Sequence, residues 1–153
     1  MDERGFIEDL NKSIVYTEQR EFEYNNNPEP AKETRLTQTS QYQRSKKVSS
    51  NALLKARFLC EVNTEHPVFV RKNSNENYTE PHHLVPLFAQ KDFPDVNLDR
   101  EQNIVSLCSH CHNLLHYGAD IDGVLYKLYM DRKDLLQLIG IEISYEDLRK
   151  YYL

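Results

Sequence analysis

The sequence predicts an α+β fold built around one modest hydrophobic core. Leu, Ile, Val and Phe account for 40 of the 153 residues, a larger share than wholly disordered chains contain. Residues 78–85 and 104–107 look like short extended segments, whereas residues 122–140 carry apolar side chains at the spacing of an amphipathic helix. A chain of this length fits one domain, or one domain with an extension.

The first 44 residues are predicted to be an N-terminal extension or linker that is partly ordered. Residues 25–30 hold three asparagines and two prolines, which disfavour both a helix and a central strand. Residues 31–44 are polar and almost without apolar side chains, as in a linker or an arm that becomes ordered on binding. Residues 45–153 are therefore predicted to form the domain itself, with helices at its C-terminal end.

Within this domain the helices and strands are expected in a definite order. Residues 49–51, Ser-Ser-Asn, are favourable N-caps for a first helix that ends near Cys60. Ser144 and Asp147 have the spacing of a capping box and predict a last short helix. Between them we expect extended segments over residues 67–70 and 78–85, a strand over residues 104–107, and helices over residues 110–117 and 122–140.

Several protein classes are disfavoured by composition. No apolar run is long enough to span a bilayer. The first ten residues carry five charges and lack the apolar stretch of a signal peptide. Three cysteines, an odd number, argue against a disulfide scaffold. We therefore expect a soluble, cytoplasmic protein that has no membrane partner.

Charge is unevenly distributed along this acidic chain. The net charge is -5, yet residues 31–60 hold seven basic residues and one acidic residue, a balance of +6. Such a basic block indicates contacts with the phosphates of a nucleic acid, although a solvated and mobile surface is the alternative. The residues predicted to bind nucleic acid are Arg44, Lys46, Lys47, Lys55 and Arg57.

The three cysteines are spaced for a structural zinc ion. Cys108 and Cys111 form a C-x2-C pair, in which a tight turn directs two thiolates at one tetrahedral ion. Cys60 is the other thiol, but Asn63, three residues later, is a poor zinc ligand. His66 completes a Cys3His set, with Asn63 or water as the alternative fourth ligand. The alternative for the cysteines themselves is a role as small buried hydrophobes.

Three histidines are placed to hold a second, catalytic ion. His112 and His116 lie four residues apart, so they share one face of the predicted helix. Together with His82 they would leave coordination positions open for water and phosphate. His83 points to the opposite side of the extended segment from His82 and could lean over a substrate. Glu80 shares a side with His82, where it is either an acceptor for a ligand imidazole or a surface charge.

Other polar residues of this region are interpreted more simply. The acidic residues Asp92, Asp95 and Asp99 are expected in a solvated loop. His110 is expected to face solvent or phosphate. Near the C-terminus, four residues follow a helical stripe typical of ordinary packing: Tyr145, Leu148, Tyr151 and Tyr152.

The order of these residues resembles that of the HNH nucleases. The motif consists of His82-His83, then Asn103, then the run Cys108-x2-Cys111-His112-x3-His116. The resemblance covers roughly residues 49–140 and is closest over residues 58–118. It is most similar to zinc-bearing HNH domains of bacterial restriction and phage-defence systems. The fold that this resemblance implies is a zinc-stapled ββα-metal core, a hairpin and a helix around one divalent ion, with flanking helices.

The resemblance also implies an activity and a role for each residue. His82, His112 and His116 would bind one catalytic divalent ion, which could be Mg, Mn, Ni or Zn. His83 would be the general base, and Asn103 would steady its loop or its imidazole. The implied reaction is hydrolysis of DNA to 5′-phosphate and 3′-hydroxyl ends, in restriction or phage defence. Asn63 departs from the family, since many zinc-bearing members have cysteine there.

Two other functions compete with this interpretation. A noncatalytic, zinc-finger-like module that binds DNA would need only the zinc ligands and not the histidines. A secreted nuclease toxin of the colicin type is disfavoured, because we find no delivery region. The oligomeric state stays open between a monomer, a homodimer and a larger defence complex.

Overall fold

The computed structural model describes residues 3–13, 21–32 and 44–153. These residues form a mixed structure of helices and one small sheet, as the α+β prediction requires. Its main elements are helix α1 (Glu3–Ser13), helix α2 (Lys46–Lys55), strands β1 (Glu80–His83) and β2 (Ile104–Leu107), and helices α3 (Ser109–Tyr117), α4 (Asp122–Leu138) and α5 (Tyr145–Lys150). Two 3-10 helices, Leu87–Asp92 and Glu101–Asn103, lie between the strands. No helix in these ranges is long and apolar enough to cross a membrane.

Strands β1 and β2 form an antiparallel pair that leads directly into α3. His82 lies opposite Val105 in this register, and every residue of both strands is buried. Cys108 follows β2 as the N-cap of α3, and its Sγ accepts a hydrogen bond from the backbone N–H of Cys111 at 3.5 Å. The strand predicted over residues 104–107 and the helix predicted near residues 110–117 are confirmed.

The start of α2 differs from the prediction. Ser45 is the N-cap, and its hydroxyl accepts a hydrogen bond from the N–H of Val48 at 3.2 Å. The N–H of Ser45 in turn donates to a carboxylate oxygen of Asp99 at 2.7 Å, so the cap is fixed to the rest of the domain. Ser49, the first of the predicted caps, lies fully buried inside the helix. A long-range contact therefore overrides the local capping preference of residues 49–51.

Helix α2 also ends earlier than predicted, at Lys55 rather than near Cys60. Arg57 and Phe58 have positive φ angles of 57° and 54°. The N–H of Phe58 bonds to the carbonyl of Leu53, and that of Arg57 to the carbonyl of Leu54, both at 2.9 Å. These two bonds form a Schellman motif, which ends a helix without requiring glycine when apolar packing holds it. Phe58 and Leu53 supply that packing, because they lie together in a small apolar cluster.

The segment before β1 is extended but is little paired. The predicted strand over residues 67–70 makes one isolated bridge, between Val70 and Asn77. The N–H of Tyr78 donates to the carbonyl of Phe69 at 2.7 Å, which closes a narrow loop. Asn73, with a φ of 61°, lies in the turn of this loop, where asparagine is favoured.

The main core lies between the sheet and the C-terminal helices. Helix α4 contributes Leu125, Leu128 and Leu136, all essentially inaccessible to solvent. Arg132, also buried, donates to three backbone carbonyls around the start of β2 and pairs with Glu61 at 2.7 Å. The predicted capping box of the last helix is confirmed on its N-cap side: the hydroxyl of Ser144 accepts from the N–H of Asp147 at 3.1 Å.

The described N-terminal residues contact the domain through α1 and through the segment of residues 21–32. Phe6 and Leu10 of α1 pack into the apolar cluster beside α2. Farther along, Arg100 donates to the carbonyl oxygens of Asn25, at 2.6 Å, and Asn27, at 3.0 Å. Residues 33–43, which make up most of the predicted linker, lie outside the described residues.

Candidate metal centres

The first candidate centre is formed by three cysteines and one histidine. The ligand atoms of Cys60, His66, Cys108 and Cys111 all lie within 4.8 Å of one another. His66 Nδ1 is 3.4 Å from the Sγ of Cys111 and 3.7 Å from that of Cys108. Cys60 and His66 precede the hairpin formed by β1 and β2, whereas Cys108 and Cys111 follow it. The cluster therefore joins the segment after α2 to the start of α3.

Asn63, the alternative fourth zinc ligand, instead makes hydrogen bonds within its own turn. Its side chain is exposed, and Oδ1 accepts a hydrogen bond from the N–H of Glu65 at 2.9 Å. Its carbonyl accepts from the N–H of His66 at 3.0 Å. Asn63 therefore shapes the turn that carries His66 toward the thiols, and the geometry favours His66 over Asn63 as the fourth ligand.

The charges of the cluster suit a bound dication. Burial alone would raise the pKa of Cys60, but backbone hydrogen bonds, the largest from Cys108, and a side-chain bond from His66 lower it to about 7. Burial and the neighbouring thiols instead raise the pKa of Cys111. Three thiolates in this space would repel one another, and a dication offsets that repulsion. The Cys3His cluster could thus hold a structural metal.

The second candidate centre consists of His82 on β1 with His112 and His116 on α3. The ligand nitrogens of these residues also lie within 4.8 Å of one another. The Nε2 atoms of His112 and His116 are 3.0 Å apart. Two nitrogens bound to one tetrahedral zinc ion would be about 3.3 Å apart. The spacing of these residues on the helix and the strand therefore fits a shared ion.

Glu80 determines which nitrogen of His112 faces the histidine cluster. Burial alone would raise the pKa of Glu80, but hydrogen bonds, the strongest from His112, lower it, so the group is a carboxylate. Because a carboxylate can only accept, His112 donates through Nδ1–H to Oε1 at 2.8 Å, and its Nε2 keeps a lone pair. Ser109 donates to the other oxygen at 2.6 Å. Of the two roles considered for Glu80, the structure favours that of acceptor for a ligand imidazole.

Tyr152 has the corresponding effect on His82. Its hydroxyl donates its proton to the carbonyl of Leu84 at 2.6 Å, and burial raises its pKa. The phenol oxygen must then accept from His82 Nε2–H, which is 2.7 Å away, so Nδ1 of His82 keeps a lone pair. The helical stripe near the C-terminus predicts only a packing role for Tyr152 and carries no signal for such a contact.

His83 lies outside the three-histidine cluster and faces Asp99. Its Nε2 is 2.8 Å from Oδ1 of Asp99, and both side chains are buried. The prediction of a solvated Asp99 is therefore wrong, whereas Asp92 and Asp95 are exposed as expected. Asp99 differs from them because residues 96–100 are buried and hold its carboxylate between His83 and the N-cap Ser45.

Asn103 holds the loop that follows His83 through its side-chain amide. Its Oδ1 accepts from the N–H of Val85 at 2.8 Å. Its Nδ2 donates to the carbonyls of Val85 and Leu98, each at 2.9 Å. With all three amide contacts made and no solvent exposure, Asn103 fixes the end of β1 to the loop before β2.

All five predicted basic residues are exposed, and three of them also contact other side chains. Lys46 forms an ion pair with Asp9 of α1 at 3.5 Å. Arg44 and Lys55 lie over the rings of Phe6 and Tyr24, at 5.4 Å and 5.3 Å from the ring centroids. The two others, Lys47 and Arg57, are exposed. His110 is exposed as well, as expected.

Comparison with known proteins gives one informative likeness. No family model matches the chain. A segment of 90 residues, 59% of the chain, is 29% identical to the type IV methyl-directed restriction enzyme EcoKMcrA of Escherichia coli (strain K12). The match spans 30% of that enzyme. The matched segment therefore covers less than a third of the length of that restriction enzyme.

Proposed function

We propose that this chain is a metal-dependent endonuclease of the HNH type that hydrolyses DNA phosphodiester bonds in restriction or phage defence. The observation that carries the proposal is the convergence of ligand nitrogens from His82, His112 and His116, next in sequence to a buried His–Asp pair. The likeness to a restriction enzyme supports the same activity and DNA as the substrate. The domain would span residues 45–153, with residues 1–44 as a partly ordered extension.

The histidine cluster would hold one divalent ion through His82 Nδ1, His112 Nε2 and His116 Nε2. Such an ion (Mg, Mn, Ni or Zn) would neutralise charge on the phosphate and on the leaving oxygen. Glu80 and Tyr152 would keep the imidazoles of His112 and His82 in the tautomers that bind it. Zinc in the Cys3His cluster would fix the first turn of α3, from which His112 and His116 project.

His83 would act as the general base for the attacking water. When Nε2–H donates to Asp99, the lone pair remains on Nδ1, where it can accept a proton. Asp99 would hold the ring in this tautomer and stabilise the imidazolium that forms. Asn103 would keep the loop after His83 in place through its three amide contacts.

The proposal is tested by incubating supercoiled plasmid with the purified chain and each of Mg²⁺, Mn²⁺, Ni²⁺, Zn²⁺ or EDTA. Cleavage should require the ion, and His83→Ala should reduce its rate by about 10²–10⁴-fold while metal content stays unchanged. Gln137→Ala, which alters an exposed, uncharged side chain outside both clusters, is the control and should cleave normally. Unchanged cleavage by His83→Ala would refute the assignment of the base. DNA binding without cleavage in every ion would favour the noncatalytic binding module instead.

A further inference from the structure

An open cavity of about 280 Å³ lies beside the cysteine cluster. Its walls include His66 of the cysteine cluster, Ser109 and His110 from the first turn of α3, and the aromatic residues Phe69 and Tyr78. The volume lies just below the range of sites for drug-sized ligands, so it suits one small planar group. None of the lining residues is acidic, although the chain contains 24 Asp and Glu residues.

The aromatic wall of this cavity is a stacked pair. The rings of Phe69 and Tyr78 are nearly parallel, at 6°, with centroids 5.1 Å apart. Their backbones are tied by the hydrogen bond from Tyr78 N–H to the Phe69 carbonyl. Arg71 lies 5.3 Å from the Tyr78 ring centroid. Phe69 nevertheless remains 63% exposed, an unusual state for a phenylalanine whose ring is held so firmly.

The stacked pair is also connected to the histidine cluster. Burial and the nearby carboxylate of Glu80, which holds His112, raise the pKa of Tyr78 to about 12. Ser109, on the cavity wall, donates to the same carboxylate. A group seated against Phe69 would therefore lie one side chain away from the residues that hold His112.

We propose that Phe69, backed by Tyr78, is a stacking platform for one unstacked nucleobase of the DNA bound at the histidine cluster. This inference rests on the proposed function, because it needs DNA as the substrate. Aromatic faces bind bases of any sequence by stacking, and a wall without carboxylates tolerates the adjoining phosphates. Ser109 and His110 would supply polar contacts beside the base.

The chain contains no tryptophan, so Phe69→Trp places a single indole fluorophore on the platform. The probes are a single-stranded 12-nucleotide DNA and an abasic strand of the same length and charge, in buffer without added divalent ion. We expect the 12-nucleotide DNA to quench the indole fluorescence and the abasic strand to leave it unchanged. Fluorescence anisotropy of labelled strands reports binding independently of the indole.

Phe69→Ala gives the corresponding affinity test. Loss of one base stack should weaken binding of the 12-nucleotide DNA by about 5- to 150-fold and leave binding of the abasic strand unchanged. Phe88→Ala, at another exposed phenylalanine outside the cavity, is the control and should bind like the parent. If DNA binds but neither Phe69 variant responds, the platform is refuted and the nuclease proposal stands. If no DNA binds at any salt concentration, both proposals fail.

Discussion

At the scale of single residues, the tautomers of His82 and His112 are determined by neighbours far away in sequence. Glu80 accepts a hydrogen bond from Nδ1–H of His112, and Tyr152 accepts one from Nε2–H of His82. Glu80 is the first residue of β1, and Tyr152 lies in the C-terminal segment after α5. The two nitrogens that face the cluster are thereby left with lone pairs, which is the arrangement that ligand imidazoles need.

Tyr152→Phe should weaken metal binding at the histidine cluster. Removing the hydroxyl leaves His82 Nε2–H without its acceptor, so the imidazole is free to rotate or change tautomer. Loss of such a supporting contact typically costs 10- to 100-fold in metal affinity. Isothermal titration with Mn²⁺ would measure the change, and Tyr151→Phe, whose hydroxyl contacts Asp92 instead, is the control. Equal Mn²⁺ affinity in both variants would show that Tyr152 only packs.

Asp99→Asn should lower both cleavage and stability. The two carboxylate oxygens accept from His83 and from the N–H of Ser45, whereas an amide can accept through one atom only. One donor would then face an NH₂ group, at a cost of about 1–3 kcal/mol. We expect a lower melting temperature and at least a tenfold slower cleavage, measured by calorimetry and plasmid nicking. The exposed Asp95→Asn should change neither, and parent-like values for Asp99→Asn would contradict the shared-carboxylate model.

At the scale of elements, the helix ends show where local sequence rules succeed and fail. The start of α5 was predicted because the hydroxyl of Ser144 accepts from the N–H of Asp147 within one turn. The start of α2 was not, because Ser45 is fixed by Asp99, 54 residues away. Its end was missed because Arg57 and Phe58 adopt left-handed conformations that favour glycine, and only tertiary packing stabilises them there.

Arg57→Gly should separate backbone strain from charge. Glycine adopts the φ of 57° without strain. The free energy of unfolding of the variant should therefore be higher by about 1 kcal/mol. If Arg57 contacts phosphate, the slope of log affinity against log salt should fall by about 0.9 on duplex DNA. Chemical denaturation and binding titrations at several salt concentrations measure the two effects.

Gly140→Ala is the structural counterpart and should have the opposite effect on stability. Gly140 ends α4 at a φ of 89°, and an added Cβ would lie 2.9 Å from a methyl group of Val96. We expect the Gly140→Ala variant to be destabilised by at least about 1 kcal/mol. The slope of log affinity against log salt should not change. An Arg57→Gly variant that loses stability would contradict the strain argument.

At the scale of the whole molecule, the two clusters share α3. Cys108 and Cys111 fix its first turn, and His112 and His116 follow directly on the same helix. Sequence spacing was sufficient to propose both clusters, since C-x2-C and i, i+4 pairs are local patterns. It could not reveal Asp99, Tyr152 or the Phe69–Tyr78 pair, because their partners are brought near by the folded chain alone.

His66→Ala should remove zinc from the chain and destabilise the whole fold. His66 is the histidine that approaches two of the thiols, and zinc binding contributes directly to folding free energy. The zinc content found by elemental analysis and the melting temperature should both be lower than in the parent. Asn63→Ala removes the other proposed ligand, and it should retain zinc. Full zinc content in His66→Ala would assign the fourth position to water or Asn63.

The ligands of the cysteine cluster also have a consequence for the unfolded chain. Cys60 and Cys108 lie on opposite sides of the hairpin segment, so an ion that holds both closes a loop of about 50 residues. By the polymer relation for cross-links, closing such a loop removes disorder from the denatured ensemble worth about 4 kcal/mol. A denatured chain that retained its ion would therefore begin refolding with the ends of the hairpin segment already tethered.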